Sequence, residues 1–181
     1  MSTTNNPKVK LGYDDYVLFP DDRNRHEIID GDHFKNPAPN TYHQTVSKRI
    51  QYVLYSEIEL RDSGVVFSAP VDVQLGAHDI VQPDLVVVLS DSAARVTPSE
   101  ILGAPDLLIE ILSPSTAKSD CELKRRIYER SGVREYWIVD PDSHTVRQLV
   151  LKNEGFVEQS VSDDVEMAVL PQVKVAFSSV W

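Results

Sequence analysis

Cysteine is nearly absent from this sequence: Cys121 stands alone, which excludes an internal disulfide and a cysteine-based zinc cluster. Long apolar runs are missing as well. None approaches the roughly 20 residues needed to cross a bilayer, and the first residues lack the basic, apolar and small-residue order of a signal peptide. These absences predict a cytoplasmic protein in a reducing, aqueous compartment, with no membrane partner. The histidines, His26, His33, His43, His78 and His144, lack the i, i+4 spacing of a helical metal motif and read first as surface or hydrogen-bonded side chains. Basic residues are outnumbered, 18 against 28 acidic ones, for a formal net charge of -10. Such a charge repels a polyphosphate unless basic groups gather on one face or metal ions intervene, so it counts against a simple nucleic-acid binder. No internal repeat, low-complexity tract or linker interrupts the chain.

What is present is an ordinary globular composition, 41% hydrophobic and 25% charged over 181 residues. That length suits one domain and buries roughly two thirds of the unfolded surface on a single core. Residues 1–10 are polar and aperiodic, a flexible tail, and residues 11–181 form the expected domain. Tyr13 to Phe19 predicts a short helix ended near Pro20. In RHEIIDGDHF, the Asp30-Gly31 pair between apolar positions predicts a tight hairpin. Val46, Ile50, Val53, Leu54 and Ile58 fall at helical spacing within a helix from His43 to Asp62, with Gly64 as its stop.

Val65 to Leu75, Pro83 to Ser90 and Pro105 to Ser113 read as strands, with Ser113-Pro114-Ser115 as the loop that follows. An S-x-x-E capping box at Ser119 to Glu122 opens a helix from Asp120 to Ser131, stopped at Gly132 and packing through Leu123, Ile127 and Tyr128. Glu135 to Asp140 is another strand. Thr145 to Leu151 and Phe156 to Val161 form a terminal hairpin, and an apolar tail ends the chain. Strands apolar on both parities are buried on both faces. The expectation is an α/β architecture, one mixed central sheet flanked by helices, with an N-terminal and a C-terminal hairpin.

The strongest chemical anomaly is Glu110 within Leu107-Leu108-Ile109-Glu110-Ile111-Leu112, because an ionised carboxylate in a doubly covered strand is costly unless paired or metal-bound. Asp84 opens the preceding apolar strand. If those strands are neighbours, both acids converge on one hard cation with oxygen ligands, and two acids plus substrate oxygens suit magnesium. Such an ion serves phosphodiester hydrolysis, and Lys124 on the following helix would orient water or neutralise charge. Blander readings stand beside these. Lys124 forms a solvated i, i+4 pair with Asp120; Glu110 is a structural acid answered by Arg125 or Arg126; Asp84 caps a turn after Pro83.

The string PDLLIEILSPSTAKSD followed by KRRIYERSGVREYWIVDP resembles the signature of the Uma family of restriction-endonuclease-like proteins. The likeness extends over HEIIDGDHF, PAPNTYHQ, APVDVQL, VQPDLVVV and LPQVKVAFSSVW. The resemblance implies a PD-(D/E)XK core in which Asp84 and Glu110 bind Mg2+, or Mn2+ in its place, and Lys124 assists the attacking water, having migrated from the usual lysine place held here by Leu112. It marks Glu27 as a possible extra ligand and places Gln82 and His43 at the cleft. His26 departs from the family's usual tyrosine. Asp106, in a second PD pair, competes for the Asp84 role, but four residues from Glu110 on a strand it would lie about 13 Å away, too far to share an ion.

These readings predict a magnesium-dependent endonuclease acting on DNA, and a homodimer, since cutting two strands often uses two sites. A catalytically idle binding module on the same fold is the alternative. A dimerisation protein is the third, favoured if Tyr136, Trp137 or Trp181 lies in a subunit interface. Lys124-Arg125-Arg126 and Arg130 are the nearest approach to a basic patch.

Overall fold

The computed structural model describes residues 9–113, 119–159 and 163–181. Most of the expected tail, Pro114 and Ser115 of the expected loop, the last two positions of the expected Phe156–Val161 strand, and the side chains of Ser119 and Asp120 lie outside them, and with these the capping box and the Asp120–Lys124 pair.

After α1 (Tyr13–Tyr16), β1 (Arg25–Ile29) and β2 (Asp32–Asn36) make the expected hairpin. Asp30 and Gly31 take φ of 54° and 82°, the two positive values that a tight turn matching strand twist requires. The long helix α2 (Thr41–Ile58) buries His43, Val46, Ile50, Leu54 and Ile58, and Asn40 caps it by accepting from the His43 amide. Its stop is not Gly64. A 3-10 turn, Glu59–Arg61, ends on Asp62 at φ 53°, a conformation aspartate tolerates. Gly64 instead opens β3 (Gly64–Ser68), where a Cβ would meet the Val88 carbonyl oxygen at 2.5 Å and the Leu89 Cα at 2.8 Å. Gly64→Ala is therefore expected to cost about 2 kcal/mol in urea denaturation.

The run Val65 to Leu75 is two strands, not one. Pro70 cannot donate to a ladder, and beyond it β4 (Asp72–Gly76) belongs to a different sheet. β5 (Asp79–Val81) returns against β4, and β6 (Leu85–Leu89) rejoins β3. Two short strands with no clear pattern follow, β7 (Arg95–Val96) and β8 (Glu100–Leu102), and then β9 (Leu107–Ile111). A π-helical turn (Ser119–Lys124) leads into α3 (Arg125–Ser131), which ends at Gly132 with φ 87°. β10 (Glu135–Asp140), β11 (Thr145–Lys152), β12 (Gly155–Gln159), β13 (Asp164–Glu166) and β14 (Lys174–Ala176) complete the chain.

The architecture is mixed α/β, with two large sheets rather than one. The first runs β2-β1-β5-β4-β8-β7, the second β12-β11-β10-β9-β6-β3, and β13 pairs with β14. In the second sheet β9 and β10 are parallel and the other pairs antiparallel. Alternation along its strands sorts the core into two layers. Leu85, Val87, Ile109, Ile111, Trp137 and Val139 pack under α2, while Val86, Val88, Leu108, Tyr136 and Ile138 meet α3 and the first sheet. Tyr136 and Trp137 are thus core residues, not interface aromatics, and Trp181 packs on Phe177 and stacks on His144. Among the described residues no helix is long and apolar enough to cross a membrane.

Candidate active site

The parity that sends Leu108 toward α3 sends Glu110 the same way, into a layer where water does not reach it: Glu110 is 2% exposed. The β6–β9 register pairs Leu85 with Ile109, so the next step sets Asp84 beside Glu110. The two acids are cross-strand neighbours, the condition on which their convergence depends.

Glu110 is answered by Lys124, not by Arg125 or Arg126. The Lys124 ammonium, itself 2% exposed, lies 2.9 Å from Glu110 Oε1 and 2.8 Å from Glu27 Oε1. The Tyr128 hydroxyl, one turn further, donates to the same Glu110 oxygen at 2.7 Å, and burial together with the Glu110 charge raises its pKa well above the tyrosine value. Glu27 on β1 also accepts from the Gln82 amide at 2.8 Å and the Asn36 side chain at 2.7 Å. The ammonium thereby ties β1 of the first sheet to β9 of the second.

Asp84 is 4% exposed and fully engaged. Its Oδ1 accepts from Arg25 at 2.8 Å; its Oδ2 accepts from the Ile111 amide at 2.8 Å and lies 3.1 Å from His43 Nε2. Burial alone would push this carboxyl up, but the His43 hydrogen bond and the Arg25 charge outweigh it and hold the pKa at about 2. The guanidinium is kept charged in turn: burial opposes its charge, yet Asp84, then Glu110 and Glu27, prevail. A carboxyl with a depressed folded pKa stabilises the protein above its unfolded value, and that share is lost as pH falls from 3.8 toward 2. Over this window the wild type should lose on the order of 2 kcal/mol more than Asp84→Asn, as read by urea denaturation at about pH 5 and about pH 2.

A cleft of about 560 Å³ opens onto Asp84, lined also by Arg23, Arg25, His43, Lys48 and Gln82. Among the described residues, Arg25 Nε, His43 Nδ1 and Gln82 Oε1 are buried without a hydrogen-bond partner. Three unmet polar atoms on residues that line one cleft are a feature that calls for a ligand.

The family model described as "Putative restriction endonuclease", Uma2, matches residues 13–178. The chain belongs to the Uma2 family. Its fold is shared with a protein from Anabaena variabilis described as a putative nuclease: the TM-score is 0.78 at 21% identity, covering 94% of this chain and 97% of the other. No curated protein sequence matches.

In this Uma2 chain Asp84, Glu110, Lys124 and Glu27 come together, with Gln82 bridging Glu27 to the cleft and His43 on Asp84. Asp106 does not join them. It accepts from the Leu89 amide and from Arg134, both at 2.8 Å, a structural role. Of the expected basic patch, Arg130 is spent on Asp30 and Asp79. Two participants escaped the sequence reading. In the sequence Arg25 is signalled only by standing two residues before Glu27 on a strand, and Tyr128 only as a packing residue of its helix.

Proposed function

We propose that this Uma2 protein is a metal-dependent nuclease that hydrolyses phosphodiester bonds in DNA, with Asp84 and Glu110 as the metal-holding carboxylates. One observation carries the reading: two buried acids are cross-strand neighbours, with an arginine on Asp84, which lines a polar cleft, and a lysine on Glu110 behind it.

The residues fit a hard divalent ion such as Mg2+ or Mn2+. Glu27, Asp84 and Glu110 exceed Arg25 and Lys124 by one negative charge, and carboxylate oxygens are the ligands such ions take. Among the described residues no three acids or histidines are gathered closely enough to enclose an ion, so water and substrate oxygens would complete the shell, as is usual for magnesium. When bound, the ion supplies a lowered pKa to a water molecule and polarises a phosphoryl oxygen.

The protein's own groups do the rest. Arg25, with one guanidinium nitrogen on Asp84 and Nε unmet, presents a donor to a phosphate oxygen in the cleft. Lys124 holds the Glu110 carboxylate in place and supplies positive charge toward the oxygens of the pentacoordinate phosphorus and the attacking water. Tyr128 restricts Glu110 from the other side. His43, which donates Nε2–H to Asp84 when neutral, fixes the orientation of that carboxylate.

An idle binding module draws on the same ion pairs, since each acid already has a counter-cation. The deciding experiment is cleavage of supercoiled plasmid and of single-stranded DNA with Mg2+ or Mn2+, chelator as blank, comparing wild type with Glu110→Gln. Metal-dependent cleavage lost in the variant supports the nuclease. No cleavage by either protein, with no metal-induced rise in melting temperature, supports the idle module.

A further inference from the structure

The charge of this chain is unevenly spread along α2. Residues 41–56 contain no aspartate or glutamate, although the whole sequence holds 28, and they include Lys48 and Arg49. Arg49 turns to the C-terminal end, where it donates to the Val180 and Trp181 carbonyls. The cleft side of the helix is formed by Gln44, Ser47, Lys48 and Gln51. Each of the four can donate a hydrogen bond, and none is acidic.

Gln44, Lys48, Gln51 and Tyr55 stand at i, i+4, i+7 and i+11, one ridge of a helix. His43, one residue before Gln44 and on the buried side of the helix, touches Asp84. Beyond the cleft two tyrosines follow on this side of the helix, Tyr52 72% exposed and Tyr55 42%. From Gln44 to Tyr55 the rise is about 17 Å, roughly five phosphate spacings of one stacked strand.

We infer that this face of α2 is the docking track for a single polynucleotide strand, which runs over Tyr55 and Tyr52, along Gln51, Lys48 and Gln44, and reaches Asp84 at the floor of the cleft. This rests on the nuclease reading for its purpose, but not for its chemistry. Exposed tyrosines stack on bases whose faces are bare, which a duplex does not offer. Amides, a hydroxyl and one ammonium follow a phosphate backbone without reading sequence. Arg23 and Arg25 also line the cleft, with Asp21 beside them and Arg25 paired with Asp84, so Arg23 and Lys48 are the cations left to face a phosphate. In a chain of net charge -10, the acid-free stretch 41–56, whose one following acid in the helix, Glu57, is paired with Arg61, is where a polyanion is repelled least.

The test uses the full chain in chelator, so that nothing is cut. Binding of fluorescein-labelled dT20, rU20 and a 20-base-pair duplex is followed by anisotropy for wild type, Lys48→Glu and the double variant Tyr52→Ala/Tyr55→Ala, whose changes are at the surface. The track predicts that a single strand binds at least about tenfold tighter than the duplex and that the tyrosine variant loses about tenfold or more on single strands alone. Lys48→Glu should weaken all binding and lower the salt slope by about one phosphate contact. The tighter of dT20 and rU20 identifies the natural strand. Duplex binding as tight as single-strand binding, or variants that bind as wild type does, overturns the inference. Cleavage by a wild type whose variants bind normally would leave the nuclease intact and remove the track; binding without cleavage in metal would do the reverse.

Discussion

Lys124→Met should be the most destabilising single change in the site, costing about 3–5 kcal/mol at neutral pH. The ammonium is 2% exposed and pairs with two carboxylates, Glu27 at 2.8 Å and Glu110 at 2.9 Å, each likewise buried. Methionine fills most of the volume but leaves two negative charges in a layer between sheets without the cation they share. Desolvation and mutual repulsion then raise the folded-state pKa of both acids above the glutamate value. A group whose folded pKa is raised contributes stability below its unfolded pKa and loses it as pH rises through the folded one. The variant should therefore recover part of its deficit on acidification from about pH 7 to about pH 5, where the wild type gains nothing of the kind. Urea denaturation at the two pH values reads both effects. A variant within about 1 kcal/mol of wild type at neutral pH would show that the two acids do not depend on this ammonium.

Much of this arrangement is legible in the residues, for reasons that can be stated. β6, β9 and β10 are apolar on both parities, which marks strands covered on two sides, and a lone glutamate in such a strand demands a partner. Lys124 was within reach because a helix follows that strand after a short loop. Asp106 was separable from Asp84 by strand geometry alone.

What the sequence hid is where a local pattern says nothing of long-range placement. Val65 to Leu75 looks continuous, and only Pro70 marks the point where the chain changes sheets. β7 and β8 are too short to show a period. Arg25 reaches Asp84 across 59 positions of sequence, a contact set by how β1 of the first sheet faces the end of β6 in the second. Tyr136 and Trp137 would favour a dimerisation protein only if they lay in an interface, yet adjacent strand residues point to opposite faces, and both faces of β10 are covered. The gap in acidic residues along α2 was visible to simple counting. It gains meaning only when the cleft shows which side of the helix is open.

Glu110→Gln separates holding the fold from doing the chemistry. The glutamine side chain is of the same shape, and its amide oxygen accepts from Tyr128 and Lys124 as Oε1 does now. Lys124 keeps the Glu27 charge at 2.8 Å, so the ammonium stays paired, and the surplus negative charge of the constellation disappears. Stability should change by no more than about 1 kcal/mol. Cleavage in Mg2+ should fall about a thousandfold or more, because the neutral amide holds a hard cation far more weakly than the carboxylate, and the charge developing on the phosphoryl oxygens then lacks that cation. The contrast with Lys124→Met, unstable and inactive together, is the informative part. If Glu110→Gln unfolds as readily as that variant, Glu110 is a structural acid. If it folds, binds DNA and cuts at the wild-type rate, Asp84 holds the ion without it. A folded, DNA-binding and cleavage-dead Glu110→Gln is the outcome that the buried position of this acid beside Asp84 predicts.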